Sequence, residues 1–252
     1  MKVTVFYNKT VHENASYYYQ LAKEAREKVA GAEKALAETE KEITEAKKPE
    51  KSEVKVKRAK EWHEKFRSAF TSGGQLMIGG RDAKQNDMVY AKHLDDDDLF
   101  FHADIQGASA LILKGGVKAG EQDLKEAAQF SASHSNAWKN ANASVDVYSV
   151  KKGQVSKHAQ GGFIPSGAFA ITGQRTWYRS TKLALLIGKG EKGVELIPEC
   201  SKRPLAEALI LVPSQAGKEK GQLAKSLGKR FGVHPDELLS ILPNGKSKTV
   251  ER

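Results

Sequence analysis

Apolar and polar positions divide the chain into three zones. The first, residues 1–70, opens with Val3-Thr4-Val5-Phe6, whose period of two predicts a short strand. From about Glu13 to Lys47 the spacing becomes helical, with Tyr18, Leu21, Ala25, Val29, Ala32, Leu36 and Ile43 recurring along one stripe. Lys48-Pro49-Glu50 ends that stripe, because proline has no amide to continue a helix. A second helix is expected from about Ser52 to Phe70, with Val54, Ala59, Trp62 and Phe66 as seam residues. Two helices about a short break predict an antiparallel, coiled-coil hairpin. At ~1.5 Å per residue its first arm is roughly 50 Å long. The seam is rich in alanine, so each turn buries little area and the arm is expected to be stiff but only modestly stable.

The second zone, residues 71–181, alternates short apolar runs with glycine-rich turns. Strands are expected at Gln75–Ile78, Leu99–Ala103, Ala110–Leu113, Ala143–Val150, Gln154–His158 and Ala168–Thr172. Helices are expected at Asp82–Leu94, with Asp82 as N-cap, and at Glu121–Ala137. The third zone, residues 182–252, predicts strands at Leu183–Ile187, Val194–Ile197 and Leu209–Val212, a loop over Pro213–Lys218, helices at Gly221–Phe231 and Pro235–Leu242, and a polar tail. The expected fold class is α+β. A central mixed or antiparallel sheet with helices is preceded by the hairpin and followed by a small α/β region.

Composition adds a partner class. The apolar fraction of 39% lies below the usual ~45–50%, as suits a chain with much exposed helix. The formal net charge is +10, which favours a polyanionic partner. The single cysteine, Cys200, excludes an internal disulfide, and no Cys/His set has zinc spacing, so a reducing, cytoplasmic setting fits and no metal or cofactor is expected. No apolar run approaches the roughly 20 residues of a membrane span, and the N-terminus lacks a signal-peptide core.

Five clusters in the central zone combine glycine with neutral polar or basic residues at the ends of apolar elements. They are Gly79–Asn86, His102–Ser109, Ser131–Trp138, Gly161–Phe169 and Gly173–Arg175. Glycine lets a backbone amide approach a ligand, and helix starts attract phosphate. Taken singly, each cluster reads better as a tight turn with its caps. Taken together they nominate RNA contacts at Arg81, Asp82, Lys84, Gln85, Asn86, His102, Asp104, Ser109, Ser133, Trp138, Ser166, Gly167, Phe169 and Arg175. Arg81 and Arg175, with Lys84, are the candidates for phosphate; Trp138 and Phe169 can stack on bases, although an aromatic beside an apolar run is more often core.

Gly-Gly-Arg-Asp-Ala-x-Gln-Asn at 79–86, His-Ala-Asp-x-x-Gly-Ala-Ser at 102–109 and Pro-Ser-Gly-x-Phe at 165–169 resemble, in order and spacing, the NFACT-R domain of the NFACT ribosome quality-control family. The tryptophan within Ser131–Trp138 and the Gly-x-Arg at 173–175 fit the same pattern. The resemblance covers about residues 55–185. Residues 11–70 resemble the family's coiled-coil arm, and the C-terminal zone resembles its archaeal form. It implies binding to large ribosomal subunits that hold peptidyl-tRNA after a stall, with rRNA and tRNA as partners and quality-control proteins meeting the arm. The family's N-terminal domain, with its Asp-Arg dipeptide, has no counterpart here, and Arg81-Asp82 does not inherit that role. The chain is therefore expected to be the C-terminal half of a longer protein or one part of a split one, and not to build a C-terminal tail alone.

The main reading is an RNA-binding module without catalysis. One alternative is a protein-interaction scaffold acting through the arm. Another is a hydrolase or nucleic-acid-modifying enzyme using His102 and Asp104, with His134 and His158 nearby. The commoner explanation of His102 and Asp104 is that their side chains hold a glycine-rich loop. A double-stranded DNA reader is disfavoured by the lack of a helix dense in Arg, Lys and Asn.

Overall fold

The computed structural model describes residues 3–45, 61–158 and 164–251, and its contacts divide it into two units, Met1–Ala59 and Lys60–Arg252. In the first unit, Val3–Phe6 is irregular and not a strand. Helix α1 runs from Val11 to Glu45. Thr10 and Glu13 form a reciprocal cap. The Glu13 carboxylate accepts from the Thr10 amide at 2.7 Å, and the Thr10 hydroxyl accepts from the Glu13 amide at 3.3 Å. Asn14 is the buried member of this turn. Its side chain accepts from the Phe6 amide at 2.8 Å and donates to the Phe6 carbonyl at 3.0 Å. The expected seam positions Leu21, Val29 and Leu36 are exposed. Most of the expected second arm lies outside the described residues. Its described end, residues 61–70, is not helical: Trp62–Lys65 is a 3-10 turn and Arg67–Phe70 is a strand.

The second unit begins there. Strand β1 (Arg67–Phe70) turns through Gly73-Gly74 into β2 (Leu76–Gly79), and pairing between the two overrides the helical spacing of Trp62 and Phe66. Helix α2 (Ala83–His93) follows, with the Asp82 carboxylate accepting from the Gln85 amide at 2.8 Å. Then come β3 (Leu99–Ala103), β4 (Leu111–Leu113) and α3 (Glu121–Ser133). The helix expected through Ala137 breaks at His134. Ser135 donates back to the Ala132 carbonyl at 2.7 Å and caps a one-turn helix, α4 (Asn136–Lys139). Next are β5 (Ser144–Lys151), the short β6 (Val155–Ser156) and β7 (Ala170–Ile171), and β8 (Thr176–Lys182), an edge strand absent from the expectation. The C-terminal part contains β9 (Leu185–Gly190), β10 (Gly193–Pro198), β11 (Ala206–Lys218), α5 (Lys220–Phe231), α6 (Pro235–Ile241) and β12 (Ser247–Glu251). The loop expected at Pro213–Lys218 is the far end of β11. Proline removes an amide there, and the register against Ser247 shifts between Pro213 and Lys218.

The main sheet has the order β1-β2-β4-β3-β5-β8, and its pairings are antiparallel. A second antiparallel sheet has the order β10-β9-β11-β12. Alternation separates the two faces of the main sheet. Met77, Phe101, Leu111, Leu113 and Val147 join α3 and the second sheet in one large core. Ile78, Phe100, Ile112, Tyr148 and Val150 face α2 and the β6–β7 pair. Burying each such side chain contributes about 1.5–3 kcal/mol.

Polar residues lock α2 to this sheet. Asn86 is buried, and its side-chain oxygen accepts from the Ala110 amide at 3.1 Å. A Cβ on Gly80 would lie 2.2 Å from that oxygen, so the close approach requires glycine. The Ser109 hydroxyl reaches the Gly80 carbonyl at 2.7 Å and the His134 carbonyl at 3.1 Å. Replacing Asn86 with Ala strands the buried Ala110 amide. Urea denaturation of Asn86→Ala is expected to show a loss of about 1–3 kcal/mol, whereas Lys84→Ala, at the exposed start of the same helix, should change stability by less than about 0.5 kcal/mol.

Candidate nucleic-acid interface

Three strands build an aromatic and cationic row on the α2 side of the sheet. Register places His102 opposite Tyr148 and Tyr148 opposite Trp177. Arg175, Trp177 and Arg179 alternate along β8 and its approach, so they share that face. The Arg175 guanidinium stacks 4.6 Å from the Tyr148 ring centre and 5.8 Å from that of Trp177. Arg179 lies 4.1 Å over Trp177 and pairs with Asp146 at 2.6 Å.

Beside the row is an open cleft of about 390 Å³. His102, Asp104, Ile105, Gln106, Tyr148, Phe169, Ile171 and Arg175 line it, so four nominated residues (His102, Asp104, Phe169 and Arg175) come together. Burial pushes the His102 pKa below its usual value and the Arg175 charge adds to this, outweighing the Ala103 backbone and Asp104, so the imidazole is neutral at pH 7. Burial pushes the Tyr148 phenol up. Arg175 has no carboxylate partner among the described residues. Its charge therefore stays available, unlike that of Arg179.

A second exposed group borders α2. Asp82 and Lys84 are exposed at its start, and Gln85 accepts from the Arg81 amide at 3.1 Å. The Arg81 guanidinium turns inward, donating to the Glu64 and Phe66 carbonyls at 3.1 and 3.0 Å. The Pro165–Phe169 turn docks on this helix. The Asp87 carboxylate accepts from Lys157 at 2.6 Å, from Ser166 at 2.7 Å and from the Gly167 amide at 3.0 Å. Gly167 has φ +79, and a Cβ there would meet the Ala83 Cα at 2.7 Å, so only glycine serves. Gly161, Gly162 and Phe163 lie outside the described residues.

Four nominated residues are interior. Trp138 is fully buried and donates to the Ser247 hydroxyl at 3.0 Å. Ser133 is buried on the α3 side, 3.5 Å from the Ala184 carbonyl. Asn86 and Ser109 belong to the α2 junction. These four side chains are taken up by the interior, and Ala132, Ala137 and Trp138 of the segment 131–138 pack in the core on the other face of the sheet. The histidines do not converge either. His134 is buried against Phe130, and His158 is exposed beside Ser156. No hydrogen bond joins the His102 and Asp104 side chains. Their glycine loop is held instead by Asn136, which donates to the Gln106 carbonyl at 3.0 Å. Tyr148, Trp177 and Arg179 escaped the sequence reading. The signal was present in the Arg-x-Trp-x-Arg alternation at 175–179.

Comparison with known proteins gives the class of domain: an RNA-binding one. Residues 65–173 match the family described as the NFACT protein RNA binding domain. Over 208 residues the chain is 38% identical to the archaeal Rqc2 homolog aRqcH of Methanocaldococcus jannaschii, covering 79% of this chain and 31% of that protein. It is 33% identical to the ribosome quality control complex subunit NEMF homolog of Drosophila melanogaster, over 68% of this chain and 18% of that protein. It is 31% identical to the ribosome quality control complex subunit NEMF of Homo sapiens, over 66% and 16%. The chain belongs to the NFACT family of ribosome quality-control proteins, and spans less than a third of the length of these relatives.

The Asp87 anchor makes the Pro165–Phe169 turn sensitive to pH. Burial raises the Asp87 pKa, but the bonds from Lys157, Ser166 and the Gly167 amide outweigh it, and the net shift is downward. A depressed folded-state pKa stabilises the fold above the unfolded value near ~3.9, and that stabilisation is lost as pH falls through the folded value. Asp87→Ala should cost about 1–2 kcal/mol at neutral pH. Denaturation curves of variant and wild type should converge below the ordinary carboxylate range; a difference unchanged at acid pH would contradict the anchor.

Proposed function

We propose that this chain is a non-catalytic RNA-binding module of a cytoplasmic ribosome quality-control factor, recognising rRNA and tRNA on stalled large ribosomal subunits. The observation that carries the reading is the unpaired Arg175 guanidinium stacked on Tyr148 at the mouth of an open cleft. A guanidinium there can meet a phosphate, while neutral His102, Asp104 and Gln106 offer hydrogen-bonding groups to 2′-hydroxyls or base edges. The matched domain description and the quality-control relatives support the same assignment. The aromatics of the row are largely covered by arginine or packed in the sheet. Shape and backbone recognition of structured RNA, with weak sequence preference, follows from that.

A second reading concerns the arm. Tyr19, Leu21, Val29 and Leu36 are exposed along α1, which suits contact with partner proteins and is compatible with RNA binding by the other unit.

Filter binding of tRNA at about 50 and 200 mM salt tests the first reading, since phosphate contacts make affinity fall steeply. A loss of at least tenfold is expected. Arg175→Ala should weaken binding at both salts and reduce the log–log salt slope by about 1. Salt-independent binding, or an unaltered slope in the variant, would count decisively against the cleft.

A further inference from the structure

Helix α5 (Lys220–Phe231) carries four basic residues and no acidic one. Leu223, Ala224, Leu227, Gly228 and Phe231 are buried, and its apolar side chains join the large core. Gln222, Lys225, Ser226, Lys229 and Arg230 are exposed. They recur at intervals of three and four, so they form one stripe that faces solvent. Lys218, at the end of β11, donates to the Ser226 hydroxyl at 3.1 Å, which brings a cation from a second element onto that stripe. A Cβ on Gly221, one turn before Lys225, would meet nothing within 4 Å, so the surface is open there.

A solvated helix face ordinarily mixes its charges. On α3, Lys125 pairs at 2.7 Å with Glu121, one turn earlier. On α5, the residue one turn from Lys225 is Lys229, a like-charge spacing that destabilises a helix. The helix dipole accounts for Lys229 and Arg230 in the last turn, but not for Lys225 or Lys218. Among the described residues, none of Lys218, Lys225, Lys229 and Arg230 has a carboxylate partner. The adjacent Glu219 faces Lys246 instead, at 3.6 Å. Unpaired cations repeating along a stripe complement a ligand with negative charge at regular intervals. An anionic membrane would also offer charge, but a helix lying on a bilayer inserts its apolar face, and that of α5 is already packed into the core.

We infer that the outer face of α5, together with Lys218, is a docking surface for the phosphate backbone of RNA. None of its residues lines the Arg175 cleft. The inference rests on the reading of the chain as RNA-binding and adds a second place of contact. Lysine and arginine contacts to phosphate fix position and carry no base preference.

The test is filter binding of tRNA to the full chain between about 50 and 200 mM salt. It compares wild type, Arg175→Ala and the triple variant Lys225→Gln, Lys229→Gln, Arg230→Gln. Glutamine has nearly the helix propensity of the residues it replaces, and melting curves check the fold. The triple variant should lose at least tenfold in affinity at the lower salt, and its log–log salt slope should fall by about 2–3. The loss should add to that of Arg175→Ala. Acetylation of lysines, read by mass spectrometry, locates the contact: tRNA should shield Lys225 and Lys229 several-fold in the wild type. Should the triple variant fail to fold, Lys225→Gln decides, with a slope lower by about 1. An unaltered slope in a chain that binds tRNA would overturn the surface and leave the cleft standing. A lowered slope without shielding would reflect general loss of charge and would overturn it too. So would retained tRNA binding with lost binding to polyglutamate or to phosphatidylserine vesicles, which would assign the face to an acidic protein or a membrane. A wild type that does not bind tRNA removes both readings.

Discussion

The side-chain oxygen of Asn86 accepts the Ala110 amide through a gap that a single methyl group on Gly80 would close. The arrangement of the second unit depends on that contact. It seats α2 against β2 and β4, and through Asp87 it positions the Pro165–Phe169 turn. Phe169 then reaches Tyr90 and Phe100, with ring centres 5.1 and 5.4 Å away, and closes one wall of the cleft. Buried amides and carbonyls must find partners. Here the polar residues of the glycine-rich segments satisfy much of that need for one another.

That economy changes what such segments mean. Glycine, serine and asparagine at the ends of apolar elements look like a surface prepared for a ligand. Much of this surface has already been taken by the protein. Ser109 joins Gly80 to His134, Asn136 holds the Gln106 carbonyl, and Asp87 gathers Lys157, Ser166 and Gly167. What remains for a ligand is the set left over when internal bonding is complete: His102, Asp104, Gln106 and Arg175 around the cleft. The motifs preserve the frame, and the frame presents the chemistry.

Elements with strong local signals were legible in the sequence. The Asp82 cap and the apolar spacing behind it located α2, and Leu99–Ala103 was bounded on both sides by turn residues. Residues 61–70 were not legible, because Trp62 and Phe66 sit at helical spacing while Arg67–Phe70 is held by hydrogen bonds to β2, a tertiary effect that spacing cannot report. Strand β8 was missed because an edge strand with polar groups on both sides shows no apolar alternation. The cleft was half legible for the same reason. The residues of turns were visible, but Tyr148 and Trp177, set opposite each other by strand register, required the sheet. Trp138 shows the reverse: an aromatic in a promising motif whose indole serves the core and Ser247.

Net charge gave the partner class but not the place. Many of the cations in the second unit are engaged: Lys114 with Asp95, Lys157 with Asp87, Arg179 with Asp146, Arg203 with Glu195. A paired cation contributes a dipole, whose field falls away faster than that of a lone charge. The field that draws a polyanion therefore comes from groups without a carboxylate partner, and Arg175, stacked on Tyr148 at the cleft, is the clearest of these. At physiological salt such a field fades over ~8 Å, so the cleft acts on a phosphate that shape has already brought close.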